Sequence, residues 1–219
     1  MTVELIHGDC LEVMRTMPDK SVNFIWTDPP YNVNKNYGTY TDNLSDEDYI
    51  DFCGRWIGEA KRISGNRMAI YTPTKYLLDY WNLLGKDYKQ IILTWSPEGA
   101  FRYGFVNQHA SILTNVKPII RTKDVWHNVQ VLGLGYFFRE DSFGHPGYTS
   151  EQITKKVLTS FTKSGETVCD IFSGTGTTAV CCVYLDRNFI GCEIDVKWHS
   201  LANRRIEVSQ MQPNLFEAT

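Results

Sequence analysis

The chain has 219 residues, a formal charge of −3, 42% apolar and 21% charged residues. That length suits one medium α/β domain with a real core and is cramped for two. The charge balance excludes a uniformly basic coat, and no run approaches the roughly 18 apolar residues of a membrane span.

In chain order, the N-terminus Met1-Thr-Val-Glu-Leu-Ile-His7 lacks the basic and apolar regions of a secretory signal, so a cytosolic protein is expected. Residues 21–27 read as a strand that halts at Pro29-Pro30, because proline cannot donate to a ladder. Ser45, with Asp48 three residues on, marks a capped helix carrying Tyr49, Cys53, Trp56, Ile57 and Ala60 at helical spacing. Residues 67–71 read as a strand, 74–84 as a helix closed by Gly85, and 88–95 and 108–116 as further strands. Residues 117–148 break the rhythm with four glycines and a cluster of aromatic rings, and read as a small inserted recognition module. Thr149, with Gln152, is expected to cap the next helix. A strand at 167–171, a helix at 177–185, a strand at 189–194 and a helix from Asp195 complete the chain. This alternation predicts a mostly parallel α/β sheet with flanking helices.

Six cysteines, at 10, 53, 169, 181, 182 and 192, make no C-x-x-C pair and no zinc-spaced Cys/His cluster. They read as reduced core thiols, and no metal is expected. Charge is uneven along the chain. Between residues 102 and 139 the cations Arg102, Lys117, Arg121, Lys123 and Arg139 meet one acid, Asp124, which makes them candidate phosphate contacts. Residues 42–51 hold five acids and no cation.

Two segments carry chemistry. In the first, Asp28-Pro29-Pro30-Tyr31 closes a strand. An exocyclic amino group on a base is a poor nucleophile, since its lone pair is delocalised into the ring. Alkylating it requires an acceptor for the amino hydrogens and alignment for in-line displacement. Asp28 supplies a carboxylate, Pro29 a carbonyl, Pro30 stiffness, and Tyr31 a ring to stack on a base taken out of a duplex. A plain type I turn would have the same shape.

In the second, Asp170-Ile-Phe172-Ser173-Gly174-Thr175-Gly176-Thr177-Thr178 joins a strand to a helix. Glycines there let a ligand approach the backbone, and the helix start offers unpaired N–H groups. Glu193 lies 193 − 174 = 19 residues past Gly174, at the end of the next strand, where an acid accepts both ribose hydroxyls. The pattern fits a nucleoside cofactor and also G-x-G-x-x-A, so a nicotinamide-dependent oxidoreductase stays open as an alternative. Only 219 − 193 = 26 residues follow Glu193. A dinucleotide fold needs half a sheet downstream, so here that half must come from the N-terminal region, in permuted order.

With Gly8-Asp-Cys-Leu-Glu-Val-Met and Asp28-Pro-Pro-Tyr-Asn32 ahead of the glycine loop, the chain resembles the beta-class DNA amino-methyltransferases. The resemblance covers residues 4 to about 65 and 145–206 well and the middle loosely. It implies a Rossmann-like methyltransferase domain over residues 1–219, with 117–148 as the insert, and S-adenosylmethionine as donor without a metal. It implies that Asp9 binds the cofactor's adenine amino group beside Cys10. Phe172 then packs on the cofactor, and the loop Asp170, Ser173, Gly174, Thr175, Gly176 and Thr177 surrounds it. Glu193 holds the ribose, Ile194 flanks the adenine, and Asp28 to Tyr31 are catalytic. His145 itself reads either as ordering the loop over the cofactor or as a local cap. It implies transfer to adenine N6 in duplex DNA with a flipped base, in a prokaryotic or phage-infected cytoplasm, and is compatible with a homodimer. Transfer to cytosine N4 is the nearest alternative, and a DNA-binding pseudoenzyme a further one. The family's His-Pro-Thr-x-Lys-Pro stands here as His145-Pro-Gly-Tyr-Thr-Ser.

Overall fold

The computed structural model describes residues 1–40, 42–94, 109–127, 144–145 and 147–211, with His109 described as backbone only. Its elements are β1 (Val3–His7), α1 (Cys10–Thr16), β2 (Phe24–Thr27), α2 (Asp46–Ser64), β3 (Met68–Thr72), a 3-10 turn (Thr74–Tyr76) and α3 (Leu77–Leu84). They continue with β4 (Lys89–Thr94), β5 (His109–Thr114), β6 (Val125–Trp126), α4 (Glu151–Phe161), β7 (Thr167–Asp170), α5 (Thr177–Tyr184), β8 (Asn188–Glu193) and α6 (Val196–Met211).

The strands form one sheet in the order β1-β8-β7-β2-β3-β5-β4-β6. All pairings are parallel except those of β5, which runs antiparallel to both β3 and β4. An antiparallel neighbour needs no helical crossover, and the sequence carries no helical pattern between β4 and β5. The permuted order is visible in the pairing of the first strand with the last, Val3 opposite Phe189 and His7 opposite Glu193. Strands β1, β6 and helix α1 go beyond the sequence reading. β1 is a half-exposed edge strand and β6 has two residues, so neither carries a strong pattern.

Successive residues of the central strands face opposite layers. Ile25, Met68, Ile70 and Leu113 pack with Trp56, Tyr80 and Met14 beneath α1, α2 and α3. Phe24, Trp26, Ala69 and Ile112 pack with Phe161, Val157 and Cys182 beneath α4, α5 and α6. Strands buried on both faces read as continuous apolar runs, as β2 and β3 do. All six cysteines are free and buried in these layers. The acidic run at 42–51 resolves into local partners: Asp48 N–H is capped by Ser45 Oγ at 3.1 Å, Asp46 pairs with Lys75 at 2.8 Å and Asp51 with Arg55 at 2.9 Å. Acids in the first turn of a helix also favour its dipole.

The helix start after the glycine loop is packed hard against α6. Gly176 has φ +79°, and a Cβ added there would lie 2.8 Å from the Ala202 Cβ. Gly176→Ala is therefore expected to cost about 2–4 kcal/mol, from left-handed backbone strain plus overpacking. A fall in the ligand-free melting temperature of many degrees checks this; an unchanged melting temperature would contradict it.

Candidate active site

Strands β7 and β2 lie side by side, with Phe24 opposite Val168 and Ile25 opposite Cys169. From β7 the chain turns through α5 to β8 on one side, and from β2 through α2 to β3 on the other. The sheet order therefore reverses between them, and such a switch point leaves a crevice beyond the strand ends. A cavity of about 510 Å³ occupies it, lined by both Asp28–Tyr31 and Asp170–Thr175. The two segments, far apart in sequence, thus share one site.

Asp170, on β7, braces that junction. Its Oδ1 accepts from Thr27 Oγ1 at 2.8 Å and Phe172 N at 3.2 Å, and its Oδ2 from Thr178 Oγ1 at 2.6 Å. The carboxylate ties the end of β2 to the start of α5, so it shapes the cavity wall. Burial raises its pKa, and these three donors oppose the rise.

Asp28 stands at the cavity wall. Its Oδ1 accepts from Tyr31 OH at 2.6 Å, and its Oδ2 accepts from the Thr149 hydroxyl. Burial pushes its pKa up to about 6; the Thr149 and Tyr31 hydroxyls pull it down and neighbouring Asp170 pushes it up. Thr149 is thus not the helix cap expected from sequence. Ser150 caps α4, its side chain accepting from Ile153 N, which frees the Thr149 hydroxyl to bond Asp28. Tyr31 lies nearly parallel to Tyr71, with ring centroids 6.3 Å apart and planes at 14°. The Pro30 carbonyl is taken by Tyr49 OH at 2.7 Å, whereas the Pro29 carbonyl meets no donor among the described residues.

The turn is held from outside by residues the sequence reading missed. Buried Asp42 accepts from the N–H groups of Asn32 at 2.7 Å, Val33 at 3.0 Å and Lys35 at 3.1 Å. Asn32, at φ +54°, bridges Leu44 O and Tyr76 OH through its side-chain amide. Asparagine tolerates that backbone region better than other non-glycine residues, which was the one available signal.

On the β8 side, Glu193 accepts from Gly174 N at 2.8 Å and from Asp195 N at 2.9 Å, and burial raises its pKa. Ile194 and Phe172 also line the cavity, Phe172 edge-on to Trp56 at 5.5 Å. Asp9 Oδ1 caps α1 through Leu11 N at 2.9 Å and Glu12 N at 3.2 Å, with Asp9 and Cys10 on the cavity wall. Burial holds the Cys10 thiol up at about 12, so it is un-ionised. His145 packs edge-on to Trp198 at 4.7 Å, and its Nδ1 accepts from Gly147 N at 3.1 Å. Burial pulls its pKa down to about 4, so the ring is neutral, with its proton on Nε2. A Cβ on Gly174 would meet that Nε2 at 3.3 Å, so the donor faces the glycine loop. Arg205, from α6, supports the loop by donating to Thr175 O at 2.6 Å and Thr177 Oγ1 at 3.3 Å.

The expected phosphate contacts do not gather at this cavity. Because β5 runs antiparallel, Thr114 lies opposite Ala69 near the start of β3, at the sheet end remote from Asp28. Lys117 and Arg121 follow it, and Ile119 N bonds Ser160 O at 2.7 Å near the far end of α4. Lys123 precedes β6, whose Val125 pairs with Ile92, so it too sits low on the sheet. Those three exposed cations lie away from the cavity, whereas Lys35 and Lys75 line it. Arg102, Arg139 and residues 128–143 of the expected insert lie outside the described residues. Trp126 is buried, with Nε1 donating to Lys123 O at 2.8 Å, so it packs the core. Among the described residues no cluster of three His, Cys, Asp or Glu side chains is arranged to hold a metal. No helix of the described residues is long and apolar enough to cross a membrane.

A nucleoside-sized crevice at the switch point, walled by a glycine loop and an acidic Pro-Pro-Tyr turn, defines an enzyme of the Rossmann-like methyltransferase class. A family model described as DNA methylase matches residues 22–118 and 75–204. The chain therefore belongs to the N6/N4 DNA methylase family and is a DNA methyltransferase. It is 26% identical over 236 residues to the type II methyltransferase M.HpaI of Haemophilus parainfluenzae, covering 94% of this chain and 75% of that protein. Its fold matches a crystal structure of the M1.HpyAVI–SAM complex with a TM-score of 0.68 at 20% identity, over 94% of this chain and 99% of that one. It also matches the PvuII cytosine-N4-specific DNA methyltransferase with a TM-score of 0.71 at 14% identity, over 94% and 86% of the two chains.

Proposed function

We propose that this chain transfers the methyl group of S-adenosylmethionine to the N6 amino group of adenine in duplex DNA, on a base rotated out of the stack. The observation that carries the reading is one cavity shared by the Asp28–Tyr31 turn and the Asp170–Thr175 loop. Its volume, about 510 Å³, is within the range of small-molecule sites, roughly 300–1,000 Å³. The residues present fit the donor. Glu193 retains acceptor capacity for ribose hydroxyls beyond its two backbone bonds. Phe172 and Ile194 offer apolar faces, Asp9 lies beside Cys10 for the adenine edge, and His145 Nε2–H faces the glycine loop at the methionine end.

The bound sulfonium supplies an electrophilic methyl group. Tyr31 stacks on the target base, with its hydroxyl fixed by Asp28. Asp28 and the unpaired Pro29 carbonyl accept the two amino hydrogens, which draws the nitrogen lone pair out of conjugation with the ring. Asp28 then takes up the proton released as the new N–C bond forms and the donor's S–C bond breaks, its electron pair staying on sulfur. Thr149 holds the carboxylate while this happens. Lys35 and Lys75 at the mouth are the proposed phosphate contacts. An acidic first residue in the tetrapeptide favours adenine, by the resemblance; the same fold in a cytosine-N4 enzyme makes that the second reading.

Nucleoside analysis after transfer of labelled methyl to duplex DNA tests the proposal. Label in N6-methyladenine is expected; label in N4-methylcytosine would replace adenine with cytosine, and unlabelled DNA would overturn the reaction. The pH profile is a further expectation. Asp28 acts as an acceptor when ionised, and its pKa is raised to about 6, so the working form predominates above that value. The value of kcat/KM should fall as pH drops through about 6, approaching tenfold per pH unit in steady-state assays. A flat profile from pH 5 to 8 would contradict this role.

A further inference from the structure

Among the described residues the Asp28 carboxylate receives two hydrogen bonds, one on each oxygen: Tyr31 OH on Oδ1 and the Thr149 hydroxyl on Oδ2. The two donors differ in origin. Tyr31 belongs to the same turn as Asp28, so its bond fixes the carboxylate only within that turn. Thr149 lies 121 residues away, just ahead of α4, so its bond fixes the carboxylate against the rest of the fold.

Thr149 is itself held on both sides. Before it, the Tyr148 ring centroid lies 5.9 Å from the guanidinium carbon of Arg205, which also reaches Thr175 O at 2.6 Å and Glu151 at 3.2 Å. After it, the Ser150 hydroxyl accepts from Ile153 N at 3.3 Å, and its carbonyl from Thr154 N at 3.1 Å. Residues 147–150 line the cavity, as does His145, so one short stretch reaches from the glycine loop to Asp28. An ionised carboxylate offers about four acceptor sites. With one site on each oxygen taken by a hydroxyl, the others remain for a ligand in the cavity that Asp28 lines.

We infer that Thr149 is a positioning residue of the transfer reaction, acting through Asp28 by anchoring its Oδ2 from outside the turn. This rests on the reading of Asp28 as the acceptor of the amino hydrogens. The bond acts on charge as well as on orientation, because a donated hydroxyl favours the ionised carboxylate. The other groups facing Asp28 are Asp170 on β7, which disfavours its charge, Lys35, which favours it, and the hydroxyls of Tyr31, Tyr37 and Tyr71, which burial keeps protonated. None of them replaces the Thr149 bond on Oδ2. Without it, burial and Asp170 act on Asp28 with less opposition, and protonation of the acceptor moves to higher pH.

The test is the pH profile of kcat/KM for methyl transfer to duplex DNA by wild type, Thr149→Val and Thr149→Ser, with S-adenosylhomocysteine titrated into each. In Thr149→Val the acid limb should move up by about one pH unit, the loss of one bond to a charged group. Its deficit should therefore be about 30-fold near pH 5.5 and shrink to about threefold near pH 8.5, where only the loss of alignment remains. Thr149→Ser keeps the hydroxyl and should recover most of the wild-type limb. S-adenosylhomocysteine affinity should stay within about twofold in both variants, which also reports that they fold. If Thr149→Val does not fold, Thr149→Ala is read in its place. An acid limb unmoved from wild type, whether the rate is unchanged or lowered equally at every pH, would overturn the Thr149 role and leave the Asp28 chemistry standing. A wild type that transfers no methyl group, or does so with a flat profile, would overturn the Asp28 reading and the Thr149 role together.

Discussion

Asp28→Ala should reduce methyl transfer by about a thousandfold or more while leaving S-adenosylhomocysteine affinity within about twofold. Losing one preorganised group aimed at developing charge typically costs about 100- to 1,000-fold, and Asp28 also provides the proton acceptor in this scheme. The substitution removes the acceptor for Tyr31 OH as well, so the base platform loosens. Asp28→Asn separates these contributions. The amide oxygen still accepts a hydrogen bond, but the charge is gone, and a loss of about 100-fold is expected. Stability should move in the opposite direction. A carboxyl whose folded pKa is raised above its unfolded value favours the fold at low pH, and that contribution is lost as pH rises through about 6. Asp28→Asn should therefore melt higher than wild type at pH 8 and not at pH 4, in scans of ligand-free protein. Wild-type transfer rates in Asp28→Ala would remove this residue from the chemistry.

Glu193→Ala should raise the dissociation constant for S-adenosylhomocysteine by about 100-fold, as expected when charge-assisted bonds to two ribose hydroxyls are lost. The carboxylate also organises its own surroundings, through Gly174 N and Asp195 N. Removing it frees the glycine loop as well as deleting ligand contacts. Glu193→Gln keeps one carbonyl acceptor and should recover part of the affinity. At saturating donor, the turnover number of either variant should stay within severalfold of wild type, because the residue lies on the donor side. The two substitutions therefore divide kinetically, Asp28 acting on kcat and Glu193 on donor affinity. Titration calorimetry with unchanged affinity in Glu193→Ala would show that the ribose site lies elsewhere.

The central strands, the helix from Ser45 and the glycine-loop unit were legible in sequence because each has a local cause. Residues 24–26 are apolar without interruption and the strand stops short of Pro29, and Ser45 caps the helix that follows. The meeting of the two motifs follows from the pairing of β2 with β7, since each motif leaves the end of one of these neighbouring strands. Three things were not legible. The Thr149–Asp28 contact joins positions 121 apart, and a threonine before a helix gives the same local signal whether or not it caps. The Asp42 nest beneath the Asp28–Tyr31 turn depends on the loop's backbone path, whereas the acid itself sits in a run that reads as surface. The placing of Lys117, Arg121 and Lys123 turned on the direction of β5, which apolar periodicity does not encode. The shift from Thr149 to Ser150 as the cap moves a helix boundary by one residue, yet it changes which hydroxyl reaches Asp28.

A crystal structure of the chain bound to S-adenosylhomocysteine and a short duplex carrying one target adenine would test most directly whether donor and base meet at the switch point. The ribose should lie on Glu193, the sulfur should point towards Asp28, and the extrahelical adenine should lie on Tyr31 with N6 within hydrogen-bond reach of Asp28 and the Pro29 carbonyl. A donor bound with its sulfur turned away from Asp28, or an adenine held anywhere other than on Tyr31, would contradict the account.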